Sequence, residues 1–464
     1  MGLLISLVAA LFILVIGRFA RFYIPYIIIF FFIFFAEGGE NFTSFNGSFV
    51  FNQDFVAFGR LKFIEFVAMS AYIAVLLFHK HNDLRPMIIE KRIVFAFSIL
   101  ISLLLCIEYL WHSAVSISDW RLMVSGFLII YVITTLIDTQ DKIIRFVKIF
   151  TIMLTIRAFI GLALWAAGHG VQSPRGMVPF FWDSPQVAAF GYGVILLATQ
   201  LSNHKSIRVD RVMFSRWASW LMILILSITV LLSMRRSIIF STILGSIISV
   251  IGINKTKAVQ MILLLSFGII AAMTIYISSE FRLESQFNTM NLMDKKIASM
   301  EQNAVHIDNI KQYSNMIMNY PSIIIFGIRS FGSRDYALIQ KSYSCNFPLG
   351  EAHNGVLRTL LLFGIGGLLI YFYFYWRVVC VIFKLRNLEK PALMTYVGFA
   401  SCVFIIMEFI PTLLFVPPFY TSCKGIFYTL LPLFFANYAL ISALGVACRQ
   451  HVGQQRIGFK HTNV

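Results

Sequence analysis

Long uninterrupted apolar runs constrain the fold of this chain more than any other feature. Runs of about 16 to 22 residues recur along its length, among them Ile93–Leu110, Trp217–Leu232 and Gly355–Trp376. A helix of about 20 apolar residues crosses the roughly 30 Å hydrocarbon core of a bilayer. Backbone polar groups find no water there, so each run has to be helical. The sequence therefore predicts an all-α, polytopic membrane protein.

The runs predict about 13 spans, and the shortness of the first two keeps a count of about 12 to 14 open. We place them at 2–16, 22–36, 61–78, 93–110, 121–138, 149–168, 185–202, 217–233, 237–253, 258–278, 354–376, 392–410 and 425–445. This divides the chain into spans with short loops (1–278), one long loop (279–353), and three further spans with a tail (354–464). Loops as long as 279–353 are usually functional, so we expect a cap over a cavity.

The net charge of +17 could indicate nucleic acid, but the positions of the basic residues exclude it as a partner. Lys and Arg concentrate in alternate short connections, at 80–92, 142–148, 205–216, 255–257 and 377–390. By the positive-inside rule these connections and the tail are cytoplasmic, and their charge attracts anionic membrane lipids. The opposite connections, including 279–353, are then extracytoplasmic.

A polar cluster lies where the long loop re-enters the membrane, in EAHNGVLRTLLLFGIGG. Ionisable groups are costly near hydrocarbon, so such a cluster indicates a functional site. In a helix that starts near His353, Asn354 and Arg358 share one face. His353 is suited to take a proton from a hydroxyl, and Glu351 either orients it or is itself the base. The alternative is a capped helix end with an interfacial histidine.

Further arginines lie on the same predicted side of the membrane. Arg175 follows Pro174 in a loop whose glycine and proline residues indicate a defined shape, and Asp183 is its alternative partner. Arg235 and Arg236 interrupt an apolar stretch, and on a helix only one of them faces the interior. Arg329 lies in the long loop. Each arginine has a solvated or lipid-contacting alternative.

Arg157 differs from these arginines because it lies within a predicted span. A charge is costly at that depth, so we expect it to face the interior and to pair with a carboxylate such as Glu108 or Asp138, or with a ligand.

Cations that converge on one cavity at membrane level predict a polyanionic lipid headgroup, such as a diphosphate. An anion transporter is the alternative, although it has little need of a long external cap and the chain has no internal repeat. The sequence contains no Cys/His spacing of a zinc site. We therefore predict no metal and no cofactor.

The order of these features resembles the superfamily of O-antigen polymerases and O-antigen ligases, which use undecaprenyl-diphosphate-linked glycans. The matching positions are Arg175 before Asp183-Ser184-Pro185, Ser233-Met234-Arg235-Arg236-Ser237, the loop 279–353 with Pro321 and Phe326-Gly327, and His353-Asn354 with Leu357, Gly364 and Gly367. The chain departs from the pattern at the double arginine and at Ile328-Arg329. The resemblance covers roughly residues 150–380.

This resemblance implies metal-independent, inverting glycosyl transfer on the periplasmic face of the bacterial inner membrane. His353 or Glu351 would act as base, and Asn354, Arg175, Arg235 or Arg236, Arg329 and Arg358 would bind the substrate diphosphate. The substrate would be an undecaprenyl-diphosphate-linked oligosaccharide, with a chain-length regulator as a further partner. Polymerases diverge widely in sequence, which favours a polymerase; a ligase that transfers the glycan to lipid A–core is the alternative.

Overall fold

The structure is a computed structural model of the chain, and it describes the backbone of the parts that follow. These are residues 2–34, 56–58, 61–79, 117–137, 139–168, 171–173, 176–178, 184–202, 213–233, 236–253, 314–315, 317–327, 355–386, 393–414 and 431–440. All structural statements below concern these residues.

The described chain is predominantly helical, as predicted. Its longer helices are α1 (Gly2–Ala20), α2 (Ile24–Phe34), α3 (Phe63–Phe78), α4 (Ile117–Leu136), α5 (Gln140–Ala166), α6 (Ser184–Ser202), α7 (Arg216–Leu232) and α8 (Arg236–Ile253). They are followed by the short α9 (Ser322–Phe326), then α10 (Gly355–Arg386), α11 (Leu393–Leu414) and α12 (Leu431–Leu440). The predicted spans 93–110 and 258–278 lie outside the described residues.

Two short antiparallel hairpins accompany the helices. Strands β1 (Val56–Phe58) and β2 (Leu61–Lys62) pair just before α3, so the predicted span at 61–78 becomes helical only from Phe63. Strands β3 (Val171–Ser173) and β4 (Gly176–Val178) pair between α5 and α6. Both hairpins lie in or beside connections that we predict to be extracytoplasmic.

Three described stretches are long and apolar enough to cross a membrane. These are Leu7–Phe34, Gln140–Ala166 and Phe363–Arg386, with 28, 27 and 24 residues. Seven shorter apolar helices of 10–17 residues accompany them in the described part of the chain. Large apolar side chains such as Leu11, Trp217 and Leu369 are exposed on the outside of the bundle. An apolar surface of this extent is typical of contact with lipid and is consistent with an all-α membrane protein.

The first candidate stretch, Leu7–Phe34, is not one continuous α-helix. Ala20 leaves the helical conformation, with φ −147° and ψ 44°, and a 3₁₀ turn follows at Arg21–Tyr23. Arg21 Nη1 donates to the carbonyl of Phe78 at the end of α3, at 2.9 Å. Ten residues later Phe31 packs on Phe63 at the start of α3, with ring centroids 5.5 Å apart. Helix α2 therefore runs antiparallel to α3, and the runs predicted at 2–16 and 22–36 correspond to two separate helices, α1 and α2.

Helix α6 is the centre of the bundle. Every residue from Gln186 to Gln200 is buried, and α7, α8 and α11 pack around it. Small residues allow the close approach: a Cβ on Gly193 would lie 2.9 Å from Leu226, and one on Gly245 would lie 2.6 Å from Ile195. Membrane helices pack in this way because small residues let the backbones approach and gain dispersion contacts.

Candidate functional site

The predicted site residues lie at the margins of the described structure. Glu351, His353, Asn354, Arg175, Arg235 and Arg329 lie outside the described residues. Arg236 is the first residue of α8 and Arg358 lies in the first turn of α10; their backbone is described but their side chains are not. The convergence of these side chains on one site stays a prediction. The structure describes the backbone of neighbouring segments, chiefly α9 and the start of α10.

Helix α10 begins directly after Asn354, as predicted, but it is not continuous. Gly364 interrupts it with φ 63° and ψ −164°, so residues 355–363 and 365–386 form two helical segments. A positive φ is strained for any residue with a Cβ, which explains why glycine occupies this position. Phe363, at the break, is also the first residue of the 24-residue candidate span. The segment that follows His353 and Asn354 is thus a separate short helix above that span.

The break at Gly364 is filled by the end of α9. A Cβ on Gly364 would lie 2.6 Å from the carbonyl carbon of Ile325 and 3.0 Å from the amide nitrogen of Gly327. Gly327 is buried and itself has φ 73°. The backbone of Pro321–Gly327 in the long loop therefore contacts the glycine-rich patch of α10, which consists of Gly364, Gly366 and Gly367. The two segments are far apart in sequence.

The local sequence explains how the long loop reaches this position. Pro321 precedes α9, and its carbonyl accepts a hydrogen bond from the amide of Ile324 at 3.0 Å. Gly327 ends the helix in the left-handed conformation, a common helix terminus. On α10, Thr359, Leu361 and Phe363 are buried, which anchors the short segment in the bundle.

Arg175 lies in the sequence between two paired strands. Ser173 is paired with Gly176 across β3 and β4. Arg175 itself lies outside the described residues, so its predicted role stays a prediction.

Two charged side chains lie inside the bundle. Arg157 on α5 is only 5% exposed, which confirms that it faces the interior. Arg157 lies in the C-terminal half of α5, the half that precedes strands β3 and β4. Glu65, in the first turn of α3, is 2% exposed. The sequence interpretation missed Glu65, although a carboxylate in FIEFVAMSAY was a visible signal.

Hydroxyl groups connect α6 to its neighbours within the bundle. Tyr192 and Ser401 form a hydrogen bond of 2.8 Å between α6 and α11. Thr199 bonds to Ser249 on α8, and Gln200 donates to the carbonyl of Phe214 at 3.0 Å. These contacts stabilise helix packing away from water. They lie on the scaffold rather than at the corner formed by α9 and α10.

The described residues include no group of three or more His, Cys, Asp or Glu side chains that would hold a metal ion. The described part of the candidate site is the corner at Gly327 and Gly364. In the sequence, Arg329 and Arg358, two of the predicted site residues, lie between these two glycines. No protein-family model matches the sequence, and no curated protein matches it.

Proposed function

We propose that this chain is an O-antigen polymerase, an integral membrane glycosyltransferase that joins undecaprenyl-diphosphate-linked repeat units on the periplasmic face of the inner membrane. The observation that supports it most is the contact between Pro321–Gly327 and Gly364. Both segments carry positions that resemble motifs of the superfamily, and their contact holds this part of the long loop beside the helix that follows His353 in the sequence. The paired strands on either side of Arg175 in the sequence and the interior position of Arg157 are further support.

In the proposed reaction, His353 accepts the proton of an acceptor hydroxyl, with Glu351 either orienting it or acting as base in its place. The hydroxyl oxygen attacks the anomeric carbon of the lipid-linked donor. The bond from that carbon to the diphosphate oxygen breaks, and undecaprenyl diphosphate leaves with the electron pair. Arg175, Arg235 or Arg236, Arg329 and Arg358, with Asn354, stabilise the charge that develops on the leaving group. Attack from the opposite face inverts the anomeric configuration.

The test is a deletion strain whose lipopolysaccharide is separated on a gel. Loss of the ladder with retention of core bearing one repeat unit is expected for a polymerase. Bare core with accumulation of lipid-linked polymer would identify a ligase instead. An unchanged ladder would exclude both and favour transport. A shifted modal chain length on changing a chain-length regulator would identify that protein as a partner.

A further inference from the structure

The segment of the long loop that reaches α10 is more apolar than an aqueous loop requires. Its sequence from Met318 to Gly327 is MNYPSIIIFG, with three isoleucines in α9. Met318 is 76% exposed, Ile324 39% and Ile325 58%. Exposed apolar side chains this close together usually contact something other than water.

The depth of this segment follows from its contact with α10. The carbonyl carbon of Ile325 lies 2.6 Å from the position of a Cβ on Gly364, the second residue of the candidate span Phe363–Arg386. Helix α9 is therefore held at the first turn of that span and not above it. Ile325 lies at the level where the apolar surface of the span begins.

Below that level, α10 presents an apolar stripe on its exposed side. Ile365, Leu369, Phe372 and Trp376 are all exposed and are spaced four, three and four residues apart. This spacing places them on one helix face. The backbone of Ile325 lies against Gly364, which directly precedes Ile365, the first residue of the stripe. Whatever covers the stripe is therefore close to α9. For a candidate span, that cover is lipid.

We propose that residues 318–327 form an interfacial segment whose Met318, Ile324 and Ile325 side chains lie among the acyl chains at the outer edge of the bilayer. The partner is the bilayer itself. Non-helical backbone is tolerated at such depth only where protein shields it, and the carbonyl of Ile325 and the amide of Gly327 lie against Gly364. The long loop is thus anchored in the membrane at this point, whatever reaction the chain carries out.

Site-directed spin labelling in liposomes tests the proposal. Ile324→Cys and Ile325→Cys are labelled in a variant in which the six native cysteines are replaced. Oxygen concentrates in hydrocarbon and a nickel chelate stays in water, so their ratio reports depth. We expect spin labels at 324 and 325 to be more accessible to oxygen than to the chelate, as a label at Leu369→Cys is. A label at Asn319→Cys, an exposed polar position, should be more accessible to the chelate. Labels at 324 and 325 that favour the chelate as strongly as residue 319 would overturn the proposal.

A measurement on the unmodified protein covers the case in which a labelled variant does not fold. Lipids with a photoreactive acyl chain are incorporated into the same liposomes, and the cross-linked peptides are identified. The expected result is adducts on the peptide that contains 318–327, as well as on the stripe of α10. Adducts on the stripe without any on 318–327 would overturn the proposal. A third result would also overturn it: spin labels at 324 and 325 that are poorly accessible to both oxygen and the chelate, and become accessible when the protein is diluted in lipid. That result would show that a second copy of the chain covers these residues.

Discussion

At the scale of single residues, Gly364 determines the geometry of the candidate site. Its φ of 63° separates the short helix after Asn354 from the membrane span, and its missing Cβ admits the backbone of Ile325. Both requirements select glycine independently. Gly366 lies in the same patch, yet it retains helical backbone. Substitution by alanine should therefore change the stability of the fold differently at the two glycines.

We predict that Gly364→Ala destabilises the fold and Gly366→Ala does not. The left-handed φ alone costs about 1 to 2 kcal/mol for a residue with a Cβ, and overlap with Ile325 adds to this. At Gly366, alanine favours the helix by up to about 1 kcal/mol. Thermal unfolding of the purified protein in detergent measures both. Equal midpoints for the two variants would show that the break does not depend on Gly364.

We predict that His353→Ala abolishes polymer formation without loss of the protein from the membrane. Removal of a general base typically lowers a rate about 10² to 10⁴-fold, which would leave core with a single repeat unit on the gel. His461→Ala, in the basic C-terminal tail, is the control and should give a normal ladder. A normal ladder from the His353 variant, at equal protein level, would eliminate this residue as the base.

The sequence did not predict the geometry of this corner. Gly364 and Gly367 were noted as positions of the family resemblance, but glycines in apolar helices also mark close helix packing. Nothing in the sequence distinguishes a helical glycine from one with positive φ. The contact of Gly364 with Ile325 could not be predicted from the sequence either, because about 40 residues separate the two along the chain. The side chains of Glu351 and His353 lie outside the described residues, so their roles stay predictions.

At the scale of elements, α6 is the helix on which the others assemble. Its neighbours contact it through small residues and a few buried hydroxyl groups rather than through charge. In lipid, apolar burial does not favour one helix pairing over another, so packing and hydrogen bonds have to do so. The link between Tyr192 and Ser401 is one such contact, and it joins segments about 200 residues apart in sequence.

We predict that Tyr192→Phe weakens the bundle by about 0.6 kcal/mol, and by at most about 1.7 kcal/mol, the range found for hydrogen bonds between membrane helices. The ring contact with Phe404 is retained, so only the hydroxyl is removed. Tyr373→Phe, at a side chain that is 41% exposed, is the matched control and should be neutral. Unfolding in mixed micelles compares the two, and Ser401→Ala completes a double-mutant cycle. Additive effects of the Tyr192 and Ser401 changes would contradict a direct coupling.

Helix existence was predictable from apolar runs, whereas helix ends were not. The predicted span 217–233 matches α7 (Arg216–Leu232) closely, since Ser215 caps its start by accepting from the amide of Ala218. Helix α10 continues beyond the predicted span 354–376, to Arg386. An apolar run ends where the membrane ends, but the helix itself can continue into water because its backbone hydrogen bonds are made within the helix. Lys384 and Arg386 in its last turn favour that continuation.

At the scale of the whole molecule, three described basic residues, Arg21, Lys142 and Lys148, contact neighbouring helix ends and connections. Arg21 bonds to the end of α3. Lys142, at the start of α5, lies 4.8 Å from the ring of Phe22. Lys148 lies 5.7 Å from the ring of Phe214, just before α7. The described contacts thus bring together ends that the alternation of charge had assigned to one side.

We predict that the basic connections are cytoplasmic, because short loops rich in Lys and Arg stay on the side of synthesis. Single cysteines at Asp210→Cys and Asp308→Cys, in the background without native cysteines, test the orientation with a maleimide that does not cross membranes. In intact spheroplasts, position 308 should react and position 210 should react only after permeabilisation. Asn319→Cys, just before Pro321, is informative as well: it should react from outside, since the long loop that contains it is predicted to be extracytoplasmic. Reaction at 210 in intact spheroplasts would invert the topology and move His353 to the cytoplasmic side, where a donor exposed only in the periplasm is out of reach.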